Sequence, residues 1–307
     1  MRKTILLFLV LLYSVIMVAS PALRIKILVS QPDGTKVTLV KGGDEHISYY
    51  ITSDDYVVIK NVSGAYCYVW QDTVSGFTTG KFLAHDVNDR SRDERVWLER
   101  YGVRAAEMTV EEKRLRGRQG VSSRSLGRDQ FGSPVIPVIL VQYSDIKFTV
   151  DNVTATYHDY FNAENYTGNG GRGSVRDYFV SQSMGKYTPT FDIVGVITLS
   201  NNRSYYGQND GLYNDVRLDE MVSEAVEKAE SSGLDFSKYS NGDGRIPVVS
   251  IVYAGVGEQS SDEENAVWAK FSSRTIITKG GTISSYLVTN ELFYNSSGSV
   301  YELDGIG

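Results

Sequence analysis

The sequence predicts an α+β protein of two globular parts, and three observations support this fold class. Residues 23–85 contain short runs of alternating apolar and polar residues separated by turn residues, as in an antiparallel sheet. Residues 135–143 form a continuous apolar run, typical of a strand buried on both faces. Between 218 and 229, apolar residues recur with helical spacing. The first part is therefore predicted to be β-rich, and the second to mix strands with helices.

The first 22 residues have the order of a signal peptide. Arg2 and Lys3 precede an apolar run over 5–18, and small residues follow it. This run is shorter than the roughly 20 residues that span a bilayer. We predict cleavage after Ala22 or Ser20, giving a secreted or extracytoplasmic protein with no membrane segment left. A buried helix and a retained anchor are the alternatives.

Residues 23–110 form the predicted β-rich unit. Its first strand is indicated by period-two alternation over 23–29. Glycine-containing turns then separate further strands, which are predicted at 35–40, 46–52, 56–60 and 65–70. Near the end of the unit, Thr109 and Glu112 have the spacing of a capping box, which predicts that a short helix begins there.

Residues 111–132 are predicted to be a basic flexible linker. Arginine and lysine are crowded there among glycine and serine. Exposed segments of this kind are where proteases cut. We therefore place the domain boundary in this segment and expect trypsin to cut first between Arg114 and Arg128.

Residues 133–307 form the second predicted unit. Strands are expected at 135–143, 191–199, 247–254 and 286–293. Ser174 is predicted to cap a helix that ends near Gly185. A second helix is predicted from Asp215 to Gly233.

Charge and cysteine content exclude some classes of function. The net charge of −6 argues against a nucleic-acid partner, because phosphate backbones require a basic face. The single cysteine, Cys67, excludes an internal disulfide. Its strand-like surroundings favour a small buried side chain, with a reactive thiol or an inhibitory metal ligand as the alternative. We expect a monomer.

The chain contains no complete set of catalytic or metal-binding motifs. The three histidines, His46, His85 and His158, have no second His or Cys at ligand spacing, and each is expected at the surface or in a turn. There is no His-Glu-x-x-His, Cys-x-x-Cys or Gly-x-Ser-x-Gly. Asp235, Asn241 and Asp243 are weak candidates for a structural cation such as calcium, with a plain turn as the alternative.

Several segments of the second unit, in this order and spacing, resemble the front of the catalytic domain of immune-inhibitor-A-like secreted zinc metalloproteases. They lie at 134–145, 173–179, 182–183, 191–195, 205–207, 235–237, 252–255 and 257–258. The resemblance covers roughly residues 133–307. The unit at 23–110 is similar, more loosely, to the pro-regions of such proteins.

This resemblance implies an incomplete zincin-like α/β metalloprotease domain preceded by a small antiparallel β pro-region. In the family, the two His of a His-Glu-x-x-His helix bind zinc, and the Glu activates the attacking water. A Gly-Ile-Gly run precedes that helix, and here Gly305-Ile306-Gly307 ends the chain. The zinc motif is therefore expected after Gly307, and no catalytic residue is carried over.

The resemblance implies a zinc-dependent endopeptidase precursor that acts on protein or peptide substrates and is inactive as this fragment. Two departures stand out: the 240–244 run has fewer acidic positions than the run often found in the family, and Trp268-Ala269-Lys270 replaces a Trp-Pro-His. The alternative function is a non-catalytic secreted binding or adhesion protein on the same fold. A serine or glycosidic hydrolase has no motif in its favour.

Overall fold

The structure is a computed structural model that describes residues 22–24, 26–73, 76–118, 132–261, 263–294 and 300–302. The predicted signal peptide, apart from Ala22, lies outside the described residues. So do residues 119–131 of the predicted linker and the final Gly-Ile-Gly run. Within the described ranges, no helix is both long and apolar enough to span a bilayer.

The α+β class is confirmed, because helices accompany one antiparallel sheet and one mixed sheet. We call residues 26–118 the N-terminal unit and residues 132–302 the C-terminal unit. Each unit is built around one of the two sheets.

The N-terminal unit contains a six-stranded meander in which each strand pairs antiparallel with the next. Its elements are β1 (Lys26–Ser30), β2 (Lys36–Gly43), β3 (Ser48–Ile51), β4 (Val57–Lys60), β5 (Tyr66–Asp72), β6 (Gly76–Leu83), α1 (Arg92–Tyr101) and α2 (Ala105–Arg118). Gly34 and Gly64 have φ of 85° and 81°, which the tight turns before β2 and β5 require.

Both faces of this six-stranded sheet are covered. On one face, Leu39 and Tyr68 pack with Leu98 of α1. On the other face, Ile59 and Val69 belong to a cluster that includes Met108 of α2.

The sequence-based start of α2 is wrong. The helix begins at Ala105 instead of Thr109, and the Thr109 hydroxyl donates to the Ala105 carbonyl. Inside a helix, the threonine hydroxyl of such a sequence pattern can bond to a carbonyl of the preceding turn instead of capping a helix start. The helix also continues to Arg118, eight residues into the segment predicted as linker.

The C-terminal unit has a mixed sheet with the strand order β11-β12-β10-β7-β8. Its elements are β7 (Val135–Gln142), α3 (Val153–Asn162), α4 (Val175–Gln182), β8 (Thr190–Thr198), α5 (Arg203–Tyr206), α6 (Leu218–Ser231), β9 (Arg245–Ile246), β10 (Val249–Val256), β11 (Lys270–Thr278), β12 (Gly281–Tyr294) and β13 (Val300–Glu302). β12, β10, β7 and β8 run parallel, whereas the edge strand β11 is antiparallel to β12.

Two helix signals read from the sequence of this unit are confirmed. The Ser174 side chain accepts from the Asp177 N–H, and the pair forms a capping box at the start of α4. Gly185 has φ of 77° and donates to the Val180 carbonyl, which closes the end of α4. The apolar face of α6 is buried against the sheet as its spacing predicts.

Candidate functional site at the carboxyl edge of the mixed sheet

The parallel strands β7, β10 and β12 end at one edge of the mixed sheet. In open α/β sheets, ligands bind outside the carboxyl ends of such strands. Three buried carboxylates lie in this part of the C-terminal unit: Asp215, Glu258 and Glu291.

Glu291 fastens three segments together. It is fully buried near the end of β12, and one carboxylate oxygen accepts from the backbone N–H of Thr149 at 2.6 Å and from its hydroxyl at 2.9 Å. The other oxygen accepts from the Gly255 N–H at 2.9 Å. Gly255 has φ of 87° and lies at a register shift of β10. Glu291 therefore holds the loop after β7 and the bulge of β10 in place.

Glu258 follows β10 and contacts the N-terminal unit. One oxygen lies 3.2 Å from the Lys41 Nζ, and the other accepts from Asn209 at 3.0 Å. The side chains of Lys41 and Glu258 are only 4% and 1% exposed, so this ion pair is sealed from water. Its two members come from different units.

Asp215 is buried before α6. One oxygen accepts from the Trp268 N–H at 3.1 Å and lies 3.2 Å from the Lys270 Nζ. The other oxygen, Oδ1, makes no hydrogen bond to any described residue. Burial raises the pKa of Asp215 to about 6, while the charge of Lys270 acts in the opposite direction. This carboxyl can therefore change its charge near neutral pH.

One sheet face is only partly covered. α3 packs its Tyr157 and Phe161 on β7, in a cluster with Val138 and Leu140. On the same face, Leu287 of β12 and Phe271 of β11 are opposite each other and are 38% and 42% exposed. An apolar strip beside α3 thus remains open to solvent.

The three cation candidates lie in one exposed loop but are engaged in turns. Asp235 accepts from the Ser237 N–H at 2.9 Å at the start of a short 3₁₀ helix. Asp243 accepts from the Arg245 N–H at 2.9 Å, and the Asn241 N–H donates to the Arg245 carbonyl. Calcium binding by these residues stays a prediction.

The histidines and the cysteine are distributed over the chain. His85 lies between Glu94 and Asp33, with nitrogen–oxygen distances of 3.0 and 3.2 Å. His158 is exposed, and Cys67 is buried in β5. Burial raises the pKa of the Cys67 thiol, as expected for an unreactive core side chain.

No sequence motif marks Asp215, Glu258 or Glu291 as a site residue. Glu258 lies in one of the segments that resemble the family, and Asp215 lies at the predicted start of a helix. One signal was available for Glu291, which is an acidic residue inside the predicted strand 286–293 and is followed directly by Leu292 and Phe293. A charged residue in such a position requires buried partners.

Residues 135–291, just over half of the chain, match the family described as immune inhibitor A peptidase M6, catalytic domain. The chain belongs to the immune inhibitor A peptidase M6 family. The M6 match begins at β7 and ends at Glu291, so it covers almost the whole mixed sheet.

Two relatives of this M6 protein are each named pre-pro-metalloprotease PrtV. They come from Vibrio cholerae serotype O1, strains M66-2 and ATCC 39315 / El Tor Inaba N16961, and each is 30% identical over 130 residues. The aligned part is 36% of this chain and 14% of each relative. The chain therefore matches only a small share of the length of these curated relatives.

The M6 family implies zinc, but the residues present do not fit a zinc site. In the part of the chain that the structure describes, no three His, Cys, Asp or Glu side chains form a group able to hold a metal ion. The sequence also contains no His-Glu-x-x-His. No step of a zinc reaction can therefore be assigned to residues of this chain.

Proposed function

We propose that this chain is the N-terminal part of the precursor of a secreted, zinc-dependent endopeptidase that hydrolyses protein substrates. Residues 1–22 are the signal peptide, 23–110 the pro-region and 133–307 the first part of the catalytic domain. Residues 111–132 connect the two, and their first eight residues continue the helix α2. The observation that carries the proposal is the mixed sheet of the M6 match, with its antiparallel edge strand β11 and its partly covered face.

The exposed part of that face supports a zincin-like arrangement. Leu287 and Phe271 form an apolar strip next to α3, and burial of such a strip is favourable. A helix carrying His-Glu-x-x-His, packed beside α3, would cover the strip and place its zinc ligands along the sheet. We infer that this helix belongs to the longer protein and lies beyond residue 307.

In the longer protein, zinc would supply a metal-bound nucleophile and polarise the peptide carbonyl. The residues of this chain would shape the support for that site. Glu291, through Thr149 and Gly255, fixes two loops at the carboxyl edge of the sheet. As this fragment alone, the chain is expected to be inactive.

The proposal is tested by expressing the longer protein beside the chain that ends at Gly307. We expect the longer protein to contain about one zinc ion per chain and to hydrolyse casein in a reaction that chelators stop. The chain ending at Gly307 is the matched control and should do neither. A folded longer protein that binds no zinc would contradict the proposal and favour the non-catalytic binding protein.

A further inference from the structure

A loop of the C-terminal unit pairs with the N-terminal unit like an added strand. The Ser48 N–H donates to the Leu212 carbonyl at 3.0 Å, and the Asn214 N–H donates to the His46 carbonyl at 3.0 Å. Between them, Ile47 and Tyr213 form an antiparallel bridge. Peptides that bind by adding a strand to a sheet use the same backbone bonds.

The side chains of this loop alternate as those of a bound strand do. Leu212 is only 4% exposed and belongs to the apolar cluster on one face of the six-stranded sheet, with Ile47, Ile59 and Met108. The next side chain, Tyr213, is 47% exposed. Leu212 is therefore the anchor of the loop, because it completes a core that otherwise belongs to the N-terminal unit.

Buried charge joins the two units beside this anchor. The Lys41 ammonium donates to the carbonyls of Glu258 and Ser261 at 2.8 and 3.2 Å, in addition to its ion pair with the Glu258 carboxylate. In the other direction, Lys270 of the C-terminal unit donates to the Glu45 carbonyl at 2.9 Å. The three acceptors of the Lys41 ammonium therefore all belong to the opposite unit, whereas Lys270 combines one such acceptor with Asp215 of its own unit.

We propose that the N-terminal unit is a binding module for the 212–214 loop, and that it stays attached to the C-terminal unit after the chain between them is cut. The contacts described above are all made by residues outside 119–131, so a cut there breaks none of them. Cleavage of the linker would then leave a non-covalent complex, and release of the C-terminal unit would need a further event. This inference does not depend on zinc chemistry.

The test uses the full chain with a site for a specific protease placed within residues 119–131. After complete cutting, size-exclusion chromatography with light scattering at about 1 µM should show one species that contains both fragments. Fragments that elute separately at this concentration would overturn the proposal, since they would bind more weakly than about 1 µM.

The anchor is tested by comparing two neighbouring substitutions in the cut protein. Leu212→Ala removes the buried side chain and should raise the dissociation constant of the two fragments by about 30-fold or more. Tyr213→Ala keeps the backbone bonds and removes an exposed side chain, so its effect should stay below about fivefold. Equal effects of the two would overturn the role of Leu212.

A second pair of variants tests the interface without altering its apolar core. Lys41→Met leaves Glu258 buried without its cation and should weaken binding by about 100-fold. Lys60→Met is the control, because the Lys60–Glu264 pair crosses the same interface at 2.7 Å but is about one-third exposed. Its expected effect is below about fivefold. If both lysine variants bind like the unaltered protein, the buried pair does not hold the units together.

Discussion

The two sheets of this protein differ in how completely they are covered. The six-stranded sheet of the N-terminal unit has an apolar cluster on each face, closed by α1 on one side and by α2 and Leu212 on the other. The mixed sheet is covered by α6 on one face, whereas on the other face the cluster under α3 extends over β8, β7 and β10 but does not include β12 or β11. The side chains of Leu287 and Phe271 remain open.

This difference concerns which apolar side chains each unit buries and which it leaves exposed. The N-terminal unit has apolar clusters on both faces of its sheet, and a loop of its neighbour adds Leu212 to one of them. The C-terminal unit keeps Leu287 partly exposed on the same strand that carries Glu291, whose carboxylate binds the loop after β7 and the bulge of β10. One chain thus combines a sheet with apolar clusters on both faces and a sheet with partly exposed apolar side chains on one face.

The largest expected effect compares one substitution in the two sheets. Leu39→Ala in β2 empties a fully buried position and should lower the free energy of unfolding by about 3–5 kcal/mol. Leu287→Ala in β12 alters a side chain that is 38% exposed and should cost less than about 1 kcal/mol. Urea unfolding of both variants measures the difference.

Equal losses in this pair would contradict the contrast between a closed and an open sheet. The comparison becomes sharper in the longer protein proposed above. There, a helix over the strip should raise the cost of Leu287→Ala towards that of Leu39→Ala.

The next effect is the pH dependence caused by Asp215. Burial raises the pKa of its carboxyl from 3.8 to about 6 against the opposing charge of Lys270, so the folded chain binds this proton more tightly than the unfolded chain. The contribution of this proton to the free energy of unfolding is complete below pH 3.8 and is lost as the pH rises through about 6. Relative to Asp215→Asn, the unaltered protein should lose roughly 2–3 kcal/mol of unfolding free energy across that window.

Asp235→Asn is the control for this pH series. Hydrogen bonds donated by Ser237 lower the pKa of Asp235, so its small contribution has the opposite sign. Parallel pH profiles for the unaltered protein and Asp215→Asn would show that Asp215 does not titrate in this way.

The smallest effect concerns His85 in the N-terminal unit. Burial alone would lower the pKa of its ring, but the hydrogen bond to Asp33 and the charge of Glu94 outweigh it and raise the pKa above 6.5. The resulting stabilisation is present in full below pH 6.5 and is lost as the pH rises through the raised pKa. It should stay below about 1 kcal/mol, because the ring keeps contact with water.

Substituting the ring tests this last effect. His85→Gln should flatten the pH dependence of the unfolding free energy above pH 6.5, whereas His158→Gln, at an exposed ring, should leave it unchanged. If the unfolding free energy had the same pH dependence in the unaltered protein and in both variants, His85 would not contribute to it.

The sequence predicted the elements that have strong local signals. The helix α6 and the strand β7 were predicted from apolar spacing, and the start of α4 from Ser174. The strands β6 and β11 were missed, because their polar residues and glycines do not alternate regularly with apolar ones. The helix α3 was also missed, since it buries only Tyr157 and Phe161.

The candidate site was less predictable than the fold. Lys41 and Glu258 are 217 positions apart in sequence, and nothing local to either residue indicates the other. Their meeting depends on how the loop before α6 adds to the sheet of the N-terminal unit. Family segments therefore located the region, but the buried charges became apparent only from the three-dimensional arrangement.

The position of Leu212 has a consequence for biosynthesis. A polypeptide is made from its N-terminus, and early domains generally fold first. Here the first sheet cannot complete one of its cores until residues 212–214 have been synthesised, about a hundred positions after α2 ends. In the nascent chain, this core of the first sheet therefore stays partly exposed until residues 212–214 have been added.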